Sequence, residues 1–367
     1  MSTNHRYAHL DAMRAIAALC VAVLHISQVM EFSSSGGLWL LEFADDWQIG
    51  DFGVSLFFLV SGFVIPASFG DGVSRREGLR VFAIRRFFRL YPAYWLSIPF
   101  GLWAVFWLHD KPIDWPTVAV NITMLQSVLG FRNLMGFYWT LAYELVFYVL
   151  CAGLFALGLL NRAGALVAML SLLLLGYVVV LVLGLRHTDL QFYADMPTQL
   201  GLMFTGAIFR QWHDGKGLNR WVKAMLALVV VMYAIPAARS VRFDDGHLIF
   251  DPTGGWGVAL ALLFFIVFVM RWRLSHPVLS WLGTISYSFY LFHTPFAHLA
   301  AWVLTLPGMA WAVGWDLTVY CAVLLVLTGI FSAAVYRWLE LPAIELGRRL
   351  SRPATASDSV ARPRPYA

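Results

Sequence analysis

Charge is scarce in this chain. Of its 367 residues only 13% are Asp, Glu, Lys or Arg, about half the share of an ordinary soluble domain. Hydrophobic residues make up 60%, and the mean hydropathy is +0.70. The apolar stretches run from end to end, so an aqueous core could not bury them and a soluble enzyme with a single anchor is excluded. Cysteine is nearly absent. Cys20, Cys151 and Cys321 lie in apolar stretches, match no metal-ligand spacing and leave one odd thiol. That pattern argues against a disulfide framework or a zinc site and reads as small apolar packing. A small-residue cleavage site is missing after the first apolar stretch, Leu10 to Met30, which is also too long for a signal-peptide core. The expectation is an uncleaved first span.

What is present is a series of long apolar segments. A membrane helix needs about 20 mainly apolar residues. Candidates fall near 10–31, 50–69, 90–108, 137–158, 163–185, 195–212, 221–238, 255–271, 280–305 and 313–338. Arg210 and Arg220 crowd the ends of the sixth and seventh. Alternate loops differ sharply in basic residues. Of the 26 Lys and Arg, one set of loops with the two termini holds 20, the other set holds only Lys111, Arg132, Arg186, Arg239 and Arg242, and Arg14 lies inside a span. The positive-inside rule then places both termini in the cytoplasm. The expected fold is an all-α integral membrane protein, a polytopic bundle of about ten transmembrane helices. A short interfacial helix is expected near 115–128, and the membrane domain over 8–345 is followed by a disordered tail over 346–367, rich in Ser, Pro and Arg.

Ionisable side chains inside spans are costly and point to function by default. Arg14 and His25 share the first span eleven positions apart. Eleven helical steps put them within about 20° of one face and about 16 Å apart along the axis. Snorkelling to the interface and a satisfied core histidine are the structural alternatives. The second span carries Gly53, Ser55, Ser61 and Gly62, small residues suited to close helix approach. The following loop is the most basic segment. Arg86 and Arg89 share a helix face there, and Pro92 suits a helix start. Guanidinium forks bind phosphate, while plain topology bias accounts for the same residues. In the fourth span Glu144 sits about two turns inside, with Thr140 and Tyr148 on its face. In the ninth, Ser286, Tyr290 and His293 form one polar stripe below Pro295, which is expected to break the helix. His25, Glu144 and His293 all fall in the expected outer half, with the arginines near the cytoplasm.

These residues carry a resemblance. Arg14 and His25 match a basic residue, ten intervening positions and a histidine; Arg86 and Arg89 match R-x-x-R, with Pro92 following; and Gly53 to Phe63 matches a stretch carrying F-F-x-x-S-G-F. Trp139 to Tyr148 looks like W-[ST]-L-x-x-E-x-x-F-Y, Ser286 to Pro295 like S-Y-x-x-Y-L-x-H-x-P, and Glu340 with Pro342 like a closing E-x-P. In this order, and over about 8–345, the chain resembles the acyltransferase family 3 membrane proteins, bacterial O-acyltransferases of sugars and other extracytoplasmic acceptors. No counterpart of the esterase-like domain fused to some members is expected in this chain, so self-sufficient transfer and a separate periplasmic partner both stay open.

The resemblance implies transfer of an acyl group, with acetyl expected, from cytoplasmic acyl-CoA to a hydroxyl of a carbohydrate or glycolipid, in the bacterial inner membrane. His25 would be the general base and Glu144 its orienting carboxylate. Arg14, Arg86 and Arg89 would hold the phosphates of coenzyme A, which is a co-substrate; no tightly bound cofactor or metal is expected. Ser61, Tyr148, Ser286, Tyr290 and His293 are the expected substrate contacts. The lipid bilayer is a further expected partner beside the open periplasmic one, and nucleic acid is not expected. A transporter or flippase of a sugar-type solute also explains polar residues at mid-membrane. A scaffold or sensor, and within the enzymes a succinyl or longer acyl donor, stay open.

Overall fold

The computed structural model describes residues 8–69, 74–184, 191–215, 219–244, 247–250 and 255–352. Thirteen α-helices are described: α1 (Ala8–Met30), α2 (Trp39–Asp46), α3 (Ile49–Val64), α4 (Arg75–Gly101), α5 (Trp115–Asn121), α6 (Trp139–Ala156), α7 (Ala163–Val182), α8 (Gln191–His213), α9 (Arg220–Ser240), α10 (Trp256–Phe265), α11 (Pro277–Val303), α12 (Leu317–Val335) and α13 (Leu341–Leu350). A helix lies on each of the ten expected stretches. Five helical segments combine the length and apolarity needed to cross a bilayer: Ala8–Ser33, Ile49–Phe69, Gly136–Ala156, Ala163–Val180 and Leu317–Leu350. Large apolar side chains such as Leu172 and Leu175 on α7 and Val326 and Ile330 on α12 face outward. With charge this sparse, that surface is one for lipid. The chain is a helical membrane protein.

The fold class is helical as expected, with one short hairpin in which Val241–Asp244 pairs antiparallel with His247–Phe250. Four other expectations change. The interfacial helix is shorter than 115–128. It ends at Asn121, whose side chain is tied to the carbonyls of Thr117 and Arg132 and to the Leu134 amide. The basic segment before Pro92 is no loop. Ser74 caps α4 by accepting from the Glu77 amide at 3.3 Å, an S-x-x-E start, and the helix then runs 27 residues through Pro92 and Pro99. Likewise α11 passes through Pro295 unbroken. Inside a packed bundle neighbouring groups compensate for a proline. Finally, α13 carries helix to Leu350, beyond the expected domain end at 345, and pins Arg80 and Arg85 through the Leu350 carbonyl and Ser351 hydroxyl. The rest of the expected tail, 353–367, lies outside the described residues.

Helix α1 is the hub, packed on α3, α11 and α12. Close approach depends on missing side chains. A Cβ on Gly283 of α11 would lie 2.0 Å from the Asp11 carbonyl oxygen of α1. On α3 and α8 the glycines are reciprocal: a Cβ at Gly62 would meet Met203 O at 1.8 Å, and one at Gly206 would meet Leu59 O at 2.2 Å. These contacts set the helix rotations that aim the polar faces inward.

Candidate active site

Two openings meet inside the bundle. The first, of about 720 Å³, is lined by Arg14 of α1, Ser61 of α3, Arg86 and Arg89 of α4, Glu144 and Tyr148 of α6, and Ser286 and Tyr287 of α11. The second, of about 840 Å³, is lined by His25, Asp45, Gln48, Asp51, Phe137 and Trp139 among others. Val54 and Tyr290 line both and form the wall between them. Along α1 and α11 the chain passes from the arginine cavity toward the histidine cavity, and along α3 and α6 it passes the other way.

In the arginine cavity the three guanidinium groups differ. Arg89 is bound at 2.5 Å to Glu340, which is only 1% exposed. The second Glu340 oxygen accepts a short hydrogen bond from Ser288. Arg14 lies 3.6 Å from Asp11, a looser pair whose side chains are 27% and 31% exposed. Arg86 has no carboxylate within ion-pair distance among the described residues. Its guanidinium lies 5.5 Å from the Tyr148 ring centre and 5.6 Å from that of Phe82. Three guanidinium groups thus line one cavity, and Arg86 is without a carboxylate partner among the described residues.

Glu144 belongs to this cavity. One carboxylate oxygen accepts from Ser61 at 3.2 Å and from Tyr148 at 2.7 Å. The expected pairing of Glu144 with His25 is therefore not formed. The donors that can satisfy a carboxylate here, two hydroxyls and nearby arginines, all lie on the arginine side, and a carboxylate turned away from them would be uncompensated.

The partner of His25 is His293. The two rings stack nearly parallel, 13° apart, with His25 Nδ1 2.9 Å from His293 Nε2. His293 is fully buried and lines neither cavity, so its place is behind His25 and not at the substrate surface. Ser286 and Tyr290 do reach the arginine cavity. The Tyr290 hydroxyl bonds Thr140 at 2.8 Å and the Phe137 carbonyl at 3.2 Å, which fixes the dividing wall.

The residues that sequence reasoning missed are Glu340, Ser288, Tyr287 and the wall residue Val54. Glu340 stood in the closing E-x-P pattern, but nothing in a linear reading ties it to Arg89, 251 positions away. Among the described residues, no three His, Cys, Asp or Glu side chains converge as metal ligands.

A family profile described as "Acyltransferase domain" matches residues 7–337. The chain belongs to this acyltransferase family. Acyltransferase MdmB of Streptomyces mycarofaciens is 28% identical over 153 residues, which is 39% of this chain and 38% of that protein. SACOL0978 of Staphylococcus aureus (strain COL), provisionally named an O-acetyltransferase, is 25% identical over 91% of this chain and 56% of its own length. YrhL of Bacillus subtilis (strain 168), provisionally named a peptidoglycan O-acetyltransferase, is 25% identical over 94% of this chain and 56% of its own length. The chain thus spans about half the length of the full-span relatives it matches. No solved structure matches it.

Proposed function

We propose that this protein moves an acetyl group from cytoplasmic acetyl-CoA to a hydroxyl of an extracytoplasmic or lipid-linked carbohydrate. The observation that carries the reading is the pair of adjoining cavities, polycationic on one side of the Val54–Tyr290 wall and open to an imidazole on the other. Coenzyme A brings several phosphates and a long thin arm ending in a thioester. Arg86, the guanidinium without a carboxylate, is the strongest candidate for those phosphates, with Arg14 beside it. Arg89, held by Glu340, shapes that surface as well as adding charge. The basic loops on that side support a cytoplasmic arginine cavity, both termini in the cytoplasm, and a bacterial inner-membrane location with ten crossings.

His25 is then the general base on the acceptor hydroxyl, its imidazole lining the histidine cavity where a ring nitrogen can accept the proton. Glu144, together with Ser61 and Tyr148, lies on the path between the phosphate site and the wall, where it orients the donor arm. The names of the Staphylococcus and Bacillus relatives support an acetyl group, and the Bacillus name supports a sugar polymer as acceptor.

The test is acetyl-CoA turnover in proteoliposomes, read as free thiol released and as acetylated glycan by mass spectrometry. Thiol release that depends on acceptor and is lost in His25→Ala is expected. Solute movement with no thioester consumed would replace this reading with a transporter.

A further inference from the structure

His293 is buried on all sides, and each of its ring nitrogens has a defined partner. Nδ1 stands 2.6 Å from the backbone carbonyl oxygen of Tyr290. A carbonyl oxygen can only accept, so Nδ1 carries a hydrogen. No carboxylate contacts the ring among the described residues, and a cationic His293 would be a buried, uncompensated charge. The ring is therefore neutral, and Nε2 is a lone pair. That lone pair faces Nδ1 of His25 at 2.9 Å. For the contact to be a hydrogen bond, His25 must carry its own hydrogen on Nδ1. The relay runs from His25 Nδ1–H to His293 Nε2, and from His293 Nδ1–H to the Tyr290 carbonyl. Only Nε2 of His25 is left as a base, and among the described residues nothing else bonds to it. His25 lines the histidine cavity, where that atom has access to a reacting group. Phe137 packs 4.9 Å from His293 and 6.3 Å from His25, centroid to centroid, and screens the relay from water.

We propose that His293 is a positioning residue that fixes the tautomer of His25, taking with a neutral ring the place that a carboxylate holds in other acyl-transfer sites. The proposal rests on the acyl-transfer reading above. In the reaction, the acceptor hydroxyl gives its proton to His25 Nε2 as its oxygen bonds to the thioester carbonyl carbon. The carbon–sulfur bond then breaks, and the sulfur leaves with that proton as the free thiol. Throughout, His25 Nδ1–H stays bonded to His293, so the imidazolium formed in between has an acceptor for its second hydrogen. A neutral partner stabilises that cation less than a carboxylate would, but it sets the same geometry.

Two variants and one spectrum test this. His293→Gln keeps both functions, since its amide oxygen can accept from His25 and its amide nitrogen can donate to Tyr290. His293→Phe keeps the ring volume and neither function. In the full-length protein in liposomes, His293→Phe is expected to lower kcat by about 100-fold or more, below the roughly 10⁴-fold measured for a wrong tautomer in a serine-protease triad. His293→Gln should stay within about tenfold, and neither should move the KM for acetyl-CoA. Equal losses in both variants, or a loss confined to KM, would overturn the assignment. Independently of turnover, ¹⁵N NMR of histidine-labelled wild type, with His25 assigned by difference from His25→Ala, should show His25 protonated at Nδ1. Protonation at Nε2 would refute the relay even if the enzyme transfers acetyl groups. A correct tautomer with no transfer would instead refute the proposed function.

Discussion

Arg89 and Glu340 meet at 2.5 Å across 251 positions of sequence, and the carboxylate is wholly buried while the guanidinium still reaches the cavity. This pair ties α4 to the π-helical segment Tyr336–Glu340 that joins α12 to α13, and it leaves Arg86 as the cavity guanidinium without a carboxylate partner among the described residues.

Breaking the pair from the acid side should be costly. Glu340→Ala leaves Arg89 without its counter-charge and Ser288 without its acceptor. A loss of about 3 kcal/mol is expected, at the low end for a buried pair because Arg89 is 25% exposed. Thermal unfolding in detergent measures it. The double variant Arg89→Met with Glu340→Leu should recover most of the loss. A double variant no more stable than Glu340→Ala would show that the pair is not the cause.

Arg86 and Arg89 should separate kinetically. Arg86→Ala removes the guanidinium that has no carboxylate partner and is expected to raise the KM for acetyl-CoA by about ten- to a hundredfold, the scale of one charge-assisted phosphate contact. Unfolding temperature should barely move. Arg86→Lys should recover part of the affinity, since it keeps the charge and loses the fork. Initial rates against acetyl-CoA concentration decide it; an unchanged KM would return Arg86 to a topological role.

The wall between the cavities should keep the two half-reactions coupled. Tyr290→Ala removes the side chain lining both openings, along with its bonds to Thr140 and the Phe137 carbonyl. Water then gains a path to the thioester. The expected outcome is thiol release from acetyl-CoA in the absence of acceptor, raised at least several-fold over wild type. An unchanged ratio of hydrolysis to transfer would show that the wall lies elsewhere.

Helix spacing should matter as much as the polar residues. Gly62→Ala places a methyl group where the Met203 carbonyl of α8 already lies, 1.8 Å from the new Cβ. Backbone cannot yield as a side chain can, so α3 and α8 must separate. A loss of about 1–3 kcal/mol is expected from overpacking, with activity falling as Ser61 moves off Glu144. Gly153→Ala, where a Cβ meets nothing within 4 Å, is the control expected to be neutral.

Several parts of this arrangement were legible in order along the chain. Arg14 and His25 on one face at different depths follow from helical periodicity, and the structure places them at separate cavities. Glu144 and Tyr148, four positions apart, share a face and do bond. The error over Glu144 came from depth alone. Its level in the membrane suggested His25, but hydroxyl donors on Ser61 and Tyr148 held it on the arginine side. His293 was recognised as polar and its role misplaced, because a stripe on a helix does not tell which of its members faces a cavity and which faces another ring.

The sequence by itself determined the membrane setting, the helical segments and the set of polar residues that lipid cannot explain. Those follow from composition and from the 3.6-residue period, which are local properties. Only the tertiary structure decided the pairings: His25 with His293, Arg89 with Glu340, and Glu144 with Ser61. A buried charge or imidazole must find its partner among whatever the neighbouring helices present. Which helices are neighbours, and how each is rotated, is set by contacts such as Gly62 against Met203 and Gly283 against Asp11, between residues far apart in the chain.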